Sequence, residues 1–383
     1  MNYPENQYHN AMRENAFDVP SLCATQCAKI ESDSRMILTT PEIYELRRII
    51  ITGCGDSYAA GISMKPALET LTGLPVTVEP AMSLARYTAP DTFGKPGSTL
   101  VMAVSNSGTV ARVAEAVQRA SNYGCLTLAI TGKSDSPLAK ASNKQVPLFI
   151  PPFAAGGGNG VRSYLISMLS LLLVGIRIGE VKGRYMMTDS EDYRRAVVDY
   201  AKAFEAALPA LDEQMLKLAQ ETSSHEIFEF LGSGGNLGTA WFSHAKIIEA
   251  TGDAASFTDL EAWMHLYCFY RELDKKVAFA YTNAAGTDRS RAEETLGAMG
   301  KMKDKLFIIT DSAELELPET CTRIVIPACK YDWLSPLLNY LPVALYAGFL
   351  CELKGETYGR SGREDWSPIA GTALLTGSRI ELI

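Results

Sequence analysis

Two short segments concentrate hydroxyl and amide side chains where apolar runs end. Ser57 follows the run Arg48 to Thr52 and its Gly53-Cys54-Gly55 turn, and Ser105-Asn106-Ser107-Gly108-Thr109 follows the run Thr99 to Val104. Each precedes a stretch whose apolar residues recur at helical spacing. A helix N-terminus offers unsatisfied N–H groups and the positive end of the helix dipole, and serine hydroxyls add donors without charge, so the pattern suits a small anion. Gly108 leaves the backbone bare where such an anion would sit. One hydroxyl is explained by helix capping alone; Ser105, Ser107 and Thr109 together with Ser57 favour the anion. A second group lies in Ala245-Lys246-Ile247-Ile248-Glu249, where Lys246 and Glu249 share a helix face. On the residues alone it reads as an exposed ion pair worth about 0.2–0.5 kcal/mol. His265, between Met264 and Leu266, reads on the same terms as a core histidine bonded to a carbonyl.

Other motifs carry less. Gly53 and Gly55, and again Gly232 and Gly234, end apolar runs before a helix, but Tyr58 and Leu237 stand where a dinucleotide fingerprint needs its third glycine. This disfavours a nicotinamide-dependent dehydrogenase, and no Gly-Lys-Ser/Thr follows either turn to make a P-loop. Tyr281-Thr282-Asn283-Ala284-Ala285-Gly286 occupies the place in the second half that Ser105–Thr109 occupies in the first; it has fewer hydroxyls and is expected to be empty. Cys23 and Cys27 lie on one face of a helix, without a second Cys or His pair at ligand spacing. With only His9, His225, His244 and His265 besides, no metal is expected. Cys54, Cys125, Cys268 and Cys351 sit in apolar segments and are expected to be buried, reduced thiols.

The elements that must position these residues alternate. Strands are expected at Arg48–Thr52, Val76–Glu79, Thr99–Val104, Leu126–Ile130 and Val146–Ile150, with helices at Ser57–Leu71, Thr109–Tyr123, Ser136–Ala141 and Gly160–Gly179 between and after them. The pattern then repeats: strands at Ile227–Leu231, Val277–Tyr281, Leu306–Thr310 and Arg323–Ile326, helices at Asn236–Ala250, Arg289–Lys301 and Leu337–Leu353. Such alternation implies parallel sheets covered on both faces, with ligand at the carboxyl ends of the strands. The fold class is therefore α/β, two doubly wound parallel-sheet lobes of flavodoxin-like topology in tandem. The expected organisation is a polar helical arm over residues 1–45, a phosphate-binding lobe over 46–200, a second lobe over 201–355 and a tail over 356–383, with a charged helical linker from about Asp189 to Gln220. A net charge of −8 and 47% hydrophobic residues argue against a nucleic-acid or anionic-membrane surface. The run Leu165–Ile176 is expected to fall short of a membrane span and to form a buried core helix. The start lacks the basic-then-apolar order of a signal peptide, so a cytoplasmic protein is expected.

Gly53-Cys54-Gly55-Asp56-Ser57-Tyr58, Ser105-Asn106-Ser107-Gly108, and Thr127-Leu128-Ala129-Ile130-Thr131 with Ser136-Pro137-Leu138-Ala139 resemble the sugar isomerase (SIS) domain family. From about residue 46 onward the chain is similar to the tandem SIS isomerase half of glucosamine-6-phosphate synthase and to fructosamine-6-phosphate deglycases, without a glutamine-hydrolysing domain. The resemblance implies that Ser57, Ser105, Asn106, Ser107 and Ser163 hold a phosphate and that Gly55, Asp56 and, by position near the C-terminus, Arg379 touch substrate. It also implies that Glu249 is the base moving a proton between C1 and C2 of an open-chain sugar, beside Lys246. His265, nineteen residues after Lys246, would reach in from a partner subunit to open the ring. Three departures stand out. Asp56 replaces a usual Thr and puts a carboxylate near the phosphate unless it turns to sugar hydroxyls or to Arg162. Val110 replaces a Thr, whose hydroxyl Thr109 would supply, and His265-Leu266-Tyr267 replaces His-Gly-Pro.

The expected function is a sugar-phosphate isomerase or deglycase acting on a 6-phosphorylated amino sugar or fructosamine. It needs no cofactor or metal, because one base and donors for an enediolate oxygen suffice. The expected partners are the sugar phosphate and a second copy of the chain, as a homodimer or higher homo-oligomer with the site at the subunit interface, and neither nucleic acid nor membrane. Small residues around Gly156-Gly157-Gly158 would leave room for a larger substituent. The alternative is a non-catalytic sugar-phosphate sensor, favoured by the altered His-Gly-Pro segment.

Overall fold

The computed structural model describes residues 5, 7–154, 160–271, 275–302, 305–359 and 371–382. In chain order the elements are α1 (Ala11–Ser34), α2 (Thr40–Glu45), β1 (Arg48–Gly53), α3 (Asp56–Thr72), β2 (Val76–Pro80), α4 (Ala81–Arg86), β3 (Thr99–Val104), α5 (Ala111–Asn122), β4 (Leu126–Thr131), α6 (Pro137–Ala141), β5 (Lys144–Pro147), α7 (Val161–Val181) and α8 (Met187–Thr222). There follow β6 (Ile227–Gly232), α9 (Asn236–Thr251), β7 (Ala254–Thr258), α10 (Leu260–His265), β8 (Lys276–Tyr281), α11 (Arg289–Met299), β9 (Lys305–Thr310), β10 (Thr322–Val325), α12 (Leu341–Leu353) and α13 (Gly371–Thr376). Two compact units result. One gathers Cys23–Pro152, Ser163–Val197 and Arg360–Ile383; the other gathers Met1–Leu22, Phe153–Arg162 and Val198–Gly359.

The first unit is built on a parallel sheet in the order β2-β1-β3-β4-β5. Its central strands read as continuous apolar runs because both faces are covered: Ile49, Ile50 and Ile51 are fully buried, as is every residue of β3. Helix α5 lays Val113 and Val117 against Ala103, Ala129 and Leu138, and Ala116 and Ala120 against Ile50 and Val101. Each buried valine contributes about 1.5–3 kcal/mol over exposure. Helix α7 runs alongside α3 in the same direction. Tyr164 shares a hydrogen bond with Ser63 (2.8 Å), and Gly175 and Gly179 are bare where Leu68 and the Leu71 carbonyl press in. The expected shortfall of this apolar stretch needs correction. At 21 residues α7 is long and apolar enough to cross a membrane, and it is its burial that makes it a core helix.

The second unit repeats the topology in the order β10-β9-β8-β6-β7. Strand β8 is buried throughout, and Phe279 stacks on Phe230 of the neighbouring strand. Helix α12 is buried from Leu341 to Cys351 and packs against α9. Edge strand β7, Ala-Ala-Ser-Phe-Thr, was not expected. The polar arm anticipated over residues 1–45 is likewise corrected. In α1, Met12, Ala16, Val19, Cys23, Cys27 and Ile30 form a buried stripe at three- and four-residue spacing, and buried Arg13 grips Asp212 of α8 through two hydrogen bonds of 2.8 and 2.6 Å. The two doubly wound parallel sheets in tandem are the fold the sequence implied.

Candidate functional site

In the first unit the direction of connection reverses between β1 and β3, since β2 lies on the other side of β1. Doubly wound sheets take ligand at this switch point, outside the carboxyl ends of the strands. In register Thr52 of β1 faces Ala103 of β3, so the chain leaving each strand emerges side by side. From β1 comes Gly53-Cys54-Gly55-Asp56-Ser57; from β3 comes Ser105–Thr109. The first turn depends on Gly55, whose φ of 57° precedes α3 without any side-chain cap. Ser57 sits half-buried in the first turn of α3, its amide donating to the Cys54 carbonyl at 3.2 Å. Ser163, third residue of α7, is half-buried, and its neighbour Tyr164 bonds Ser63, six residues along α3 from Ser57.

The Ser105–Thr109 loop is held rigidly. The Ser105 amide donates to Ile130 and its hydroxyl accepts from the Gly108 amide at 3.2 Å, while Gly132 donates to the Asn106 carbonyl and Leu138 to that of Gly108. Gly108, at φ 63°, packs against Ser136 and Thr131. The capping alternative fails here. Helix α5 starts two residues later than expected, its N-cap is Val110, and no side chain caps it. Ser107 is exposed instead, its hydroxyl accepting from the Thr109 amide (3.3 Å) and hydroxyl (2.9 Å). Asn106 is exposed beside it. Asp56 is half-buried at the start of α3, and Arg162, its suggested partner, is engaged by Asp18 at 2.6 Å.

Next to this loop lies a cluster the sequence reading missed. The Glu115 carboxylate, fully buried on α5, accepts from Arg86 Nε at 2.8 Å, from Arg112 and from the Glu381 amide at 3.2 Å. Arg112 also bonds the Ser378 hydroxyl and, with Arg86, the Arg379 carbonyl. Burial pushes the Glu115 carboxyl up, but Arg86, the Glu381 amide and Arg112 outweigh it and hold it below the ordinary carboxylate value. Arg379 therefore meets α5 through its main chain; its side chain is 87% exposed and pairs with Glu381.

The corresponding switch point of the second unit, between β6 and β8, is filled by its own side chains. Asn339 donates to Asn236 (2.7 Å), Thr239 to Asn339, Ser335 to Asn283, and Asn283 to Asp332 (2.6 Å). The unit's other reactive group lies on α9. Lys246 is only 1% exposed, and its ammonium donates to Glu249 Oε2 at 2.7 Å while lying 4.8 Å from the centre of the Phe242 ring. Glu249 is 43% exposed and also accepts, through Oε2, from the Tyr358 hydroxyl. The reading of an ordinary surface pair is thus corrected: one partner is buried. His265 reverses the other way. Instead of a core residue it is 75% exposed at the end of α10, with Nε2 3.0 Å from Glu261. His244, on α9, is held neutral more readily than usual by its burial against Trp241 and Phe257.

All eight cysteines are thiols. Cys125 and Cys351 are buried as expected, whereas Cys268 is only partly buried; Cys23 and Cys27 are buried too, and burial pushes Cys27 up to about 11. Cys54 is exposed, contrary to expectation, because the turn after β1 carries it out of the sheet. Gly156–Gly158 lie outside the described residues. Among the described residues no group of three or more His, Cys, Asp or Glu is arranged to hold a metal ion.

Fold and site together define a tandem doubly wound α/β protein with a hydroxyl-lined switch-point loop in its first sheet. Residues 42–176 match the family model of the SIS domain. The chain is 28% identical over 311 residues to the isomerizing glutamine–fructose-6-phosphate aminotransferase of Thermotoga maritima, covering 80% of this chain and 49% of that protein. It is 23% identical over 337 residues to the enzyme of the same name from Clostridium perfringens, covering 83% and 51%. The chain thus spans about half the length of these curated relatives. In fold it matches the C-terminal domain of glucosamine-fructose-6-phosphate aminotransferase from Francisella tularensis (TM-score 0.79, 17% identity, 92% of this chain and 99% of that one). It also matches tagatose-6-phosphate ketose/aldose isomerase from Escherichia coli (TM-score 0.74, 19% identity, 93% and 97%).

Proposed function

We propose that this protein is a phosphosugar isomerase or fructosamine-6-phosphate deglycase, acting on a 6-phosphorylated amino sugar or sugar–amine adduct. The observation that carries this reading is the Ser105–Thr109 loop, which stands at the switch point with Ser107 exposed and no side chain used as a cap for α5. Ser57, Ser105, Asn106, Ser107, Thr109 and Ser163 hold the phosphate with uncharged donors, and Gly55 lets the backbone approach it. Glu249 takes a proton from C1 or C2 of the open-chain sugar and returns it to the neighbouring carbon. Lys246, its ammonium bound to Oε2, leaves the other oxygen to carry the proton. Isomerase and deglycase share this enolisation and differ in the bond that breaks next.

His265, exposed on α10, serves ring opening in the site of a second copy, within a homodimer or higher homo-oligomer. The thiol state of all eight cysteines supports a reducing, cytoplasmic setting. A non-catalytic sensor is the competing reading, favoured by the engagement of His265 with Glu261. The deciding experiment is Glu249→Gln, assayed with fructose 6-phosphate, glucosamine 6-phosphate and a fructosamine 6-phosphate. A base gives a rate loss of about 10²–10⁴-fold with binding intact. Binding by both proteins with turnover by neither establishes the sensor.

A further inference from the structure

Glu249 is approached from a part of the chain more than a hundred residues away. Helix α12 ends in a left-handed turn at Gly355 (φ 68°), with the Gly355 amide bonded to Glu352 and the Glu356 amide to Cys351. This turn folds the chain back toward the last turn of α9. Lys354 ties the two helix ends together, its ammonium donating at 2.6 Å both to Asp253 and to the His225 carbonyl. The segment beyond then closes on Glu249 twice: the Gly359 amide donates to its main-chain carbonyl at 3.1 Å, and the Tyr358 hydroxyl donates to its Oε2. The same oxygen receives the Lys246 ammonium. Among the described residues nothing donates to Oε1.

We infer that Tyr358 is a positioning residue for Glu249, fixing the carboxylate by Oε2 so that Oε1 is the oxygen that exchanges the proton. The inference rests on the reading of Glu249 as the base. The physical case is one of alignment. A carboxylate that is 43% exposed on a long side chain has several rotamers of similar energy, and one ammonium from its own helix does not select among them. A second donor anchored by Lys354 and Gly359 does. Misplacing a reacting group by about 1 Å costs on the order of 10²-fold in rate, while a hydrogen bond to a solvated carboxylate adds little to folding. Rate and stability are therefore expected to separate.

The test uses the full chain as wild type, Tyr358→Phe, Glu249→Gln and the double variant, with the same three phosphosugars. Phe keeps the ring and removes only the hydroxyl. Tyr358→Phe is expected to lower kcat by about 10–100-fold, with KM within about twofold and a melting temperature within about 3 °C of wild type. In the Glu249→Gln background it is expected to have no further effect, since the group it positions is gone. A Tyr358→Phe rate within twofold of wild type, while Glu249→Gln abolishes turnover, overturns the inference and leaves the base intact. So does a loss confined to KM or to melting temperature. If Glu249→Gln turns over like wild type, or neither protein turns over, the base reading falls and this inference falls with it.

Discussion

A single methyl group at Gly108 separates backbone strain from collision inside the proposed phosphate loop. Gly108 has φ 63°, and a Cβ built there lies 2.2 Å from the Ser136 hydroxyl oxygen and 2.6 Å from that of Thr131. Gly97, in the same unit, has φ 77° and nothing within 4 Å of its Cβ. An L-residue in a left-handed conformation costs about 1–2 kcal/mol, which is the whole expectation for Gly97→Ala. Gly108→Ala adds an overpacking cost of about 1–3 kcal/mol, because Ser136 caps α6 through the Ala139 amide and cannot simply swing away. The sum is about 2–5 kcal/mol, and at about 2–4 °C per kcal/mol for a unit of this size the melting temperature falls by roughly 4–20 °C. Thermal unfolding is measured with and without fructose 6-phosphate. Ligand at about 100 times its Kd stabilises by about 2.7 kcal/mol; wild type and Gly97→Ala should keep that increment and Gly108→Ala should lose it. Equal destabilisation by the two substitutions refutes the packing argument, and a full ligand shift in Gly108→Ala refutes the placement of the phosphate.

Ser107→Ala removes one exposed hydroxyl, and a hydrogen bond to a charged group is worth about 1.5–3 kcal/mol; calorimetry should show phosphosugar binding weakened about 10–100-fold and binding of unphosphorylated sugars unchanged. The Glu115 carboxyl is held below its ordinary value in the folded state, so its contribution is present above about pH 4.5 and is lost as pH falls through the lowered value. Hydrogen exchange should show the Glu381 amide losing protection only below about pH 4.5, and a loss near neutral pH would contradict the assignment.

Much of this arrangement was legible in the residues. Strands covered on both faces, β1, β3, β6 and β8, announce themselves as apolar runs, whereas edge strand β7 has a polar, Ala-rich sequence that buries little and gave no signal. The hydroxyl loop was found because its residues are contiguous. Its helix starts later than expected because the left-handed turn at Gly108 and the extended Val110 delay helical geometry. The spacing of Lys246 and Glu249 gave a shared face but not which member is buried; in the fold the Lys246 ammonium lies over the Phe242 ring while Glu249 stays 43% exposed. Tyr358, 109 residues from Glu249, and the Arg86–Glu115–Arg112 cluster have no local pattern at all. His265 failed as a core residue because α10 ends on it, leaving its ring to Glu261.

The most direct measurement is the solvent exchange of the sugar's own carbon-bound hydrogens. Wild-type protein incubated in deuterium oxide with fructose 6-phosphate should place deuterium at C1 or C2, read by NMR, and Glu249→Gln should bind the sugar but exchange it at least about 10²-fold more slowly. Equal exchange by both proteins, or none by wild type with ligand bound, would contradict proton transfer by Glu249.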